Sequence, residues 1–140
     1  MNESKLRLFG ALDGGDLFWS SEIRERGSDE VLERILCHGY DDSPRSTKRA
    51  HSRLVSQSVA EMAEEIDRAG GRFITSEDGE WPHLLNDLIA PPIGLIVKGG
   101  RIDCDAVAIV GTRNPTSYGA RIASEFSAGF ADRGLAVISG

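Results

Sequence analysis

Apolar positions along the first seventy residues recur at helical spacing. They do so from Lys5 to Leu12 and from Asp16 to Glu25, with Gly14-Gly15 and Gly27 as breaks, which predicts two short helices. Ser28 is placed to cap a third, with Asp29 and Glu30 in the first turn, where carboxylates complement the helix dipole. Val31, Leu32, Ile35 and Leu36 form its apolar side and Gly39 ends it. A turn over His38 to Pro44, built on Asp41-Asp42-Ser43-Pro44, separates it from the longest predicted helix, about Thr47 to Ala69. That helix rests on a stripe of Val55, Val59, Met62, Ile66 and Ala69, and Gly70-Gly71 stops it.

Beyond residue 70 the pattern changes to short apolar runs. Arg72 to Thr75 and Gly94 to Lys98 read as strands, with Ser76 to Glu80 a polar connection and Gly99-Gly100 a turn. Between them Pro82 suits the first turn of a short helix ending before Pro91, and Trp81 is expected to pack in the core, with base stacking on Trp81 or His83 the disfavoured reading. Ala106 to Val110 shows no polar alternation, as a strand buried on both faces of a parallel sheet would. Ala120 to Arg133 carries Ile122, Ala123, Phe126 and Phe130 on one helical face that should cover the sheet. Gly134 is a left-handed cap and Leu135 to Ile138 a second strand, so a βαβ unit follows. The fold class expected is α/β: an incomplete doubly wound parallel sheet of at least four strands over 71–140, after an all-helical module over 1–70.

The loop inside that βαβ unit, Gly111-Thr112-Arg113-Asn114-Pro115-Thr116-Ser117-Tyr118-Gly119, is rich in groups that bind phosphate. Gly111 lets a backbone approach closely. Thr116 or Ser117 can cap a helix whose first N–H groups are free for an anion, and Arg113 adds a planar donor fork. Taken singly, each has a structural reading as cap, packing residue or solvated charge. Together, at the carboxyl end of a strand, they favour a ligand.

Charge narrows the choice of ligand. The net charge is −6, which argues against a generally basic nucleic-acid binder. Residues 1–97 carry 11 Lys and Arg against 18 Asp and Glu, whereas 98–140 carry five against four. Binding of a nucleic acid must therefore come from placed residues. Arg45, Lys48, Arg49 and Arg53 start the long helix, with Arg49 and Arg53 on one face; a solvated face is the favoured reading over a phosphate-facing ridge. Cys37 and Cys104 form no C-x-x-C, and Cys37-His38 has no partner pair for a metal. No signal-type N-terminus is seen, and the apolar run Leu88 to Val97 is broken by Pro91-Pro92 and falls short of the ~20 residues that span a bilayer, so a soluble cytoplasmic protein is expected.

The motifs VAIVGTR, TSYG and the terminal VISG, with GGRFITSEDGEWPHLL and PPIGLIVKGG upstream, resemble the DNA-processing protein A (DprA, or Smf) family over roughly residues 70 to 140. The resemblance implies a Rossmann-like sheet and a single-stranded DNA-binding protein of natural transformation, which protects incoming strands and helps load the RecA recombinase. It implies binding without catalysis, with neither cofactor nor metal. By position, the family's phosphate loop falls on Gly111, Thr112 and Arg113, its helix start on Thr116, Ser117, Tyr118 and Gly119, and the opening of its second glycine loop on Ser139 and Gly140. The helical first part looks like the small SAM-like module these proteins often carry. It shows no clear helix-hairpin-helix glycine signature, so DNA contact and a packing or interaction role both stay open.

The family pattern continues Gly-x-Ala-x-Gly-Ile-Asp with a downstream histidine, absent here, which suggests a truncated or partial chain; a homodimer would form through the missing regions. Trp81 stands where the family usually has tyrosine. A phosphoribohydrolase-type enzyme on a similar fold is the alternative, but its P-G-G-x-G-T-x-x-E loop is not found, and a nicotinamide dehydrogenase would need G-x-G-x-x-G. An inactive fragment is the third reading.

Overall fold

The computed structural model describes residues 2–40 and 47–140, and the chain divides into two compact units, one ending at Gly100 and the other running from Arg101 to Gly140. The expected turn at Asp41 to Pro44, and Arg45, lie outside the described residues.

The first unit begins with a helical module: α1 (Glu3–Ala11), α2 (Leu17–Arg26), α3 (Ser28–Leu36), α4 (Thr47–Ser56) and α5 (Val59–Arg68). Its first two helices are started by side chains that satisfy free amides. Asn2 accepts from Lys5 N at 3.1 Å, and Asp16 accepts from Phe18 N at 2.9 Å. Leu8, Val31, Ile35 and Leu54 are fully enclosed, with Trp19 and Tyr40 closing the cluster. The apolar faces expected of the first three helices thus form its core.

Three local expectations are corrected. Ser28 is the first helical residue of α3, not its cap: the turn from α2 needs a positive φ, Gly27 takes it at 85°, and the N-cap position therefore has no side chain. At the other end of α3, His38 rather than Gly39 adopts the left-handed conformation, with φ 58°. Gly39 N then donates to Arg34 O at 2.7 Å and His38 N to Ile35 O at 3.3 Å, closing a Schellman motif. The long helix of 47–69 is two helices, because Ser58 caps α5 by accepting from Glu61 N at 3.3 Å. The expected stripe survives only on α5, where Val59, Met62 and Ile66 are half-buried, and fails at Val55 and Ala69. α4 buries Thr47, Ala50 and Leu54, while Val55 is exposed. Arg53 is drawn back to the fold, donating to Ala11 O at 3.1 Å and Asp13 Oδ1 at 3.0 Å, so it is not a wholly solvated charge.

The unit is completed by β1 (Gly71–Ile74), a 3-10 helix (His83–Asp87) and β2 (Leu95–Lys98). β1 and β2 pair antiparallel, Gly71 opposite Lys98. Arg72 fastens their end: its guanidinium grips the Glu80 carboxylate with two N–H groups and donates to Gly99 O at 2.9 Å and Gly100 O at 2.8 Å. Trp81 is buried as expected, its indole N–H donating to Asn86 Oδ1 at 3.0 Å.

The second unit consists of β3 (Ala106–Ala108), α6 (Ser117–Ala131) and β4 (Ala136–Ile138), with β3 and β4 parallel and Ala108 opposite Ile138. This is the expected parallel crossover. Gly134 (φ 80°) caps α6, Gly134 N donating to Ala131 O at 2.9 Å and Leu135 N to Phe130 O at 3.1 Å. The strands over the described residues form two separate two-stranded sheets, not one continuous parallel sheet, and the first of them is antiparallel. β3 is shorter than 106–110 and is not buried on both faces. Val110 and Phe126 are exposed, so the apolar face of α6 is covered only in part.

Candidate phosphate-binding loop

The register of β3 and β4 decides where the candidate residues stand. Two parallel strands paired at Ala108 and Ile138 leave the sheet at the same edge, and Ile109 N donating to Ile138 O at 2.9 Å extends the ladder to the loop. Gly111, Thr112 and Arg113 therefore leave β3 at the edge where Ser139 and Gly140 leave β4, and Thr116 to Gly119 open α6 after the same loop. All of these residues except half-buried Gly119 are exposed.

Local chemistry shapes the loop. Thr112 Oγ1 accepts from Asn114 N at 3.2 Å, bending the chain just after the strand. Thr116, extended at φ −68° and ψ 159°, caps α6 by accepting from Gly119 N at 3.1 Å, and its carbonyl accepts from Ala120 N at 2.9 Å. Thr116 is thus the cap, and Ser117 begins the helix. The N–H groups of Ser117 and Tyr118 have no acceptor among the described residues, which leaves the positive end of α6 open to an anion.

Arg113 lies in this loop with neither an ion pair nor a hydrogen bond among the described residues. Other arginines of the unit are engaged: Arg101 with Asp103 at 2.7 Å and Arg121 with Glu125 at 3.1 Å. Arg121 also lies 5.5 Å from the centre of the Tyr118 ring, itself exposed. Motif matching alone does not single out Arg121; the signal for it is its position three residues after Tyr118, which brings both onto one helix face. Around Gly111 a Cβ would meet nothing within 4 Å, so neither crowding nor a positive φ requires glycine there. Among the described residues no group of three His, Cys, Asp or Glu is arranged to hold a metal ion, and no helix is long and apolar enough to cross a membrane.

An open helix N-terminus, an unengaged arginine and the carboxyl ends of two parallel strands thus stand together in one βαβ unit. Over residues 72–140 the chain belongs to the DNA recombination-mediator protein A family, known as DprA or Smf. It is 38% identical over 97 residues to the putative DNA processing protein DprA of Mycobacterium tuberculosis, a match that covers 59% of this chain and 25% of that protein. To protein Smf of Synechocystis it is 32% identical over 87 residues, covering 57% of this chain and 22% of the relative. The chain spans about a quarter of the length of these curated relatives. No solved structure matches it.

Proposed function

We propose that this chain is the N-terminal part of a single-stranded DNA-binding recombination mediator, with residues 71–140 belonging to a Rossmann-like domain and 1–70 forming an accessory helical module. The mediator works in the cytoplasm, protects incoming strands during natural transformation and assists the loading of RecA recombinase onto them, as a homodimer. It binds strands and performs no chemistry on them. Gly111, Thr112, Arg113, Thr116, Ser117, Tyr118, Gly119, Ser139 and Gly140 hold the sugar-phosphate backbone.

Arg113 carries this reading: an unengaged guanidinium in the loop that leads to the open amides of Ser117 and Tyr118. Those amides take one face of a phosphate and the guanidinium fork another, a geometry indifferent to base identity. With a net charge of −6, duplex DNA has no broad basic face to settle on.

The test is fluorescence anisotropy with single-stranded and duplex oligonucleotides across a salt series. The parent is expected to prefer single strands. Arg113→Ala is expected to weaken that binding by about 1–3 kcal/mol, the size of one charge-assisted contact. The slope of log affinity against log salt should flatten by about 0.7, as for one lost phosphate contact on a single strand. Arg113→Lys restores charge without the fork and rescues only in part. A folded alanine variant that matches its parent across the series would make the loop structural, and equal affinity for duplex would remove the strand preference.

A further inference from the structure

The first unit holds a cavity of about 340 Å³ that the Arg113 loop does not account for; Lys5, Arg24, Ser28, Glu77, Trp81 and Ile93 are among its lining residues. Gly27 and Ser28, at the N-terminus of α3, are also in its lining. Because Gly27 fills the N-cap position, no side chain caps that helix, and the first intrahelical acceptance is Gly27 O from Val31 N at 3.2 Å. The N–H groups of Ser28, Asp29 and Glu30 have no acceptor among the described residues. The acidic side chains of this turn do not fill the gap. Glu30 is held by Arg26 at 3.4 Å and Arg34 at 3.8 Å, and neither it nor Asp29 lines the cavity.

Ser28 supplies an independent sign of a ligand. It is only 9% exposed, it lines the cavity, and its hydroxyl makes no hydrogen bond among the described residues. Its oxygen is not sealed off with the buried unsatisfied atoms, so it is accessible and free to donate to a ligand. Arg24 also lines the cavity. One of its N–H groups donates to Ile89 O at 3.0 Å, and the rest have no partner among the described residues. Lys5 and Arg24 outnumber Glu77, the acid of the lining, which Lys5 engages at 2.9 Å. Buried Trp81, with Pro91, Pro92 and Ile93, makes up the apolar part of the lining.

We propose that this cavity binds a phosphate group, its oxygens accepting from the Ser28 amide and hydroxyl and from the Arg24 guanidinium. The phosphate is either free or the end of a phosphomonoester whose organic part lies on the apolar part of the lining. The Ser28 donors and the spare donors of Arg24 come from different helices of the lining, which suits a tetrahedral group with several acceptor oxygens better than a planar carboxylate. The proposal uses none of the residues of the Arg113 loop.

Amide-resolved NMR on the full chain tests it, with inorganic phosphate and a nucleoside 5′-monophosphate titrated into the parent, Ser28→Ala, Arg24→Gln and Arg113→Ala. Expected are saturable shifts at residues 28–30 and at the Trp81 indole N–H. Arg24→Gln should raise Kd about tenfold and Ser28→Ala about threefold or more, the sizes of a charged and a neutral hydrogen bond. Arg113→Ala should leave these shifts in place, so the two sites can fail separately. A nucleotide bound at least about tenfold tighter than inorganic phosphate would identify the ester as occupant, and equal affinities the free ion. The proposal is overturned if neither ligand shifts residues 28–30 up to about 10 mM. It is equally overturned if the shifts saturate at the same Kd in folded Arg24→Gln and Ser28→Ala.

Discussion

Tyr40→Phe removes one oxygen from the edge of the helical core and leaves the rest of the packing in place. The Tyr40 ring meets Trp19 and Phe18 edge-on at 5.2 and 5.9 Å, and its hydroxyl donates to Glu22 Oε2 at 2.6 Å. The same oxygen accepts from Arg26 Nε at 2.9 Å. A hydrogen bond to a carboxylate contributes about 1.5–3 kcal/mol, but Glu22 keeps Arg26 and some access to water, so about 1–2 kcal/mol is expected. For a unit of this size that lowers Tm by roughly 5–15 °C. The pH dependence gives a second handle. Burial, and then the Glu22 carboxylate, push the Tyr40 phenol up to about 12 from 10.0, so its contribution is complete below pH 10 and fades as pH rises toward 12. The Tyr40 hydroxyl in turn holds Glu22 below its usual 4.5, so that contribution is complete above this value and fades as pH falls below it. The difference between parent and variant should therefore be a plateau across neutral pH that shrinks at both ends. Urea denaturation followed by circular dichroism measures it. Stabilities equal to within about 0.3 kcal/mol at pH 7, or a difference that does not shrink toward acid, would show that the bond contributes nothing.

Three further outcomes are expected. In Gly94→Ala the new methyl would run into the Phe73 ring and sit 2.9 Å from Ile74 O, so denaturation should show a loss of about 1–3 kcal/mol or more; an unchanged midpoint would mean the sheet yields. Gly111→Ala meets nothing within 4 Å and should alter stability by under about 0.5 kcal/mol while weakening single-strand binding, and unaltered binding would remove the close approach assigned to this backbone. Phe126 is 58% exposed and stacks on Phe130 at 6.1 Å, so the parent should self-associate in sedimentation at high concentration and Phe126→Ser less so; a parent that stays monomeric defeats this.

What the sequence made legible was local. The cores of α1 to α3, burial of Trp81, the Gly134 cap and the parallel β3–α6–β4 crossover all follow from spacing, capping and turn chemistry within a few residues. The split at Gln57-Ser58 was hidden because Val55 and Val59 continue an apolar spacing across it, while the face that packs is set by Ala50 and Leu54 meeting other helices. Strand pairing was hidden for a similar reason. Nothing within Gly71–Ile74 states that its neighbour is Leu95–Lys98 run antiparallel, since pairing depends on the partner. At the loop, residue types were readable, but the choice between Thr116 and Ser117 as cap, and the contact of Arg121 with Tyr118, required the path of the backbone.

The loop's position rests on hydrogen bonds more than on burial, and this bears on how tightly it can bind. No residue from Arg101 to Gly140 is fully buried, and Val107 and Val137, the central pair of the ladder, are only half-buried. The ends of the loop are fixed instead by Ile109 N to Ile138 O at 2.9 Å and by the Thr116 cap, and its interior by Thr112 Oγ1 on Asn114 N. Each such bond contributes about 0.5–1.5 kcal/mol net, little against the roughly 1–2 kcal/mol needed to fix each residue's backbone. A phosphate bridging the Ser117 and Tyr118 amides to Arg113 would therefore order the loop as it binds, and part of its interaction energy is spent on that ordering. Contacts that cover exposed Val110, Ile138 and Phe126 would fix the same backbone beforehand and return that energy to affinity, with no new contact to the strand. If the loop binds phosphate as proposed, apolar cover and phosphate affinity would be linked through one short segment of backbone.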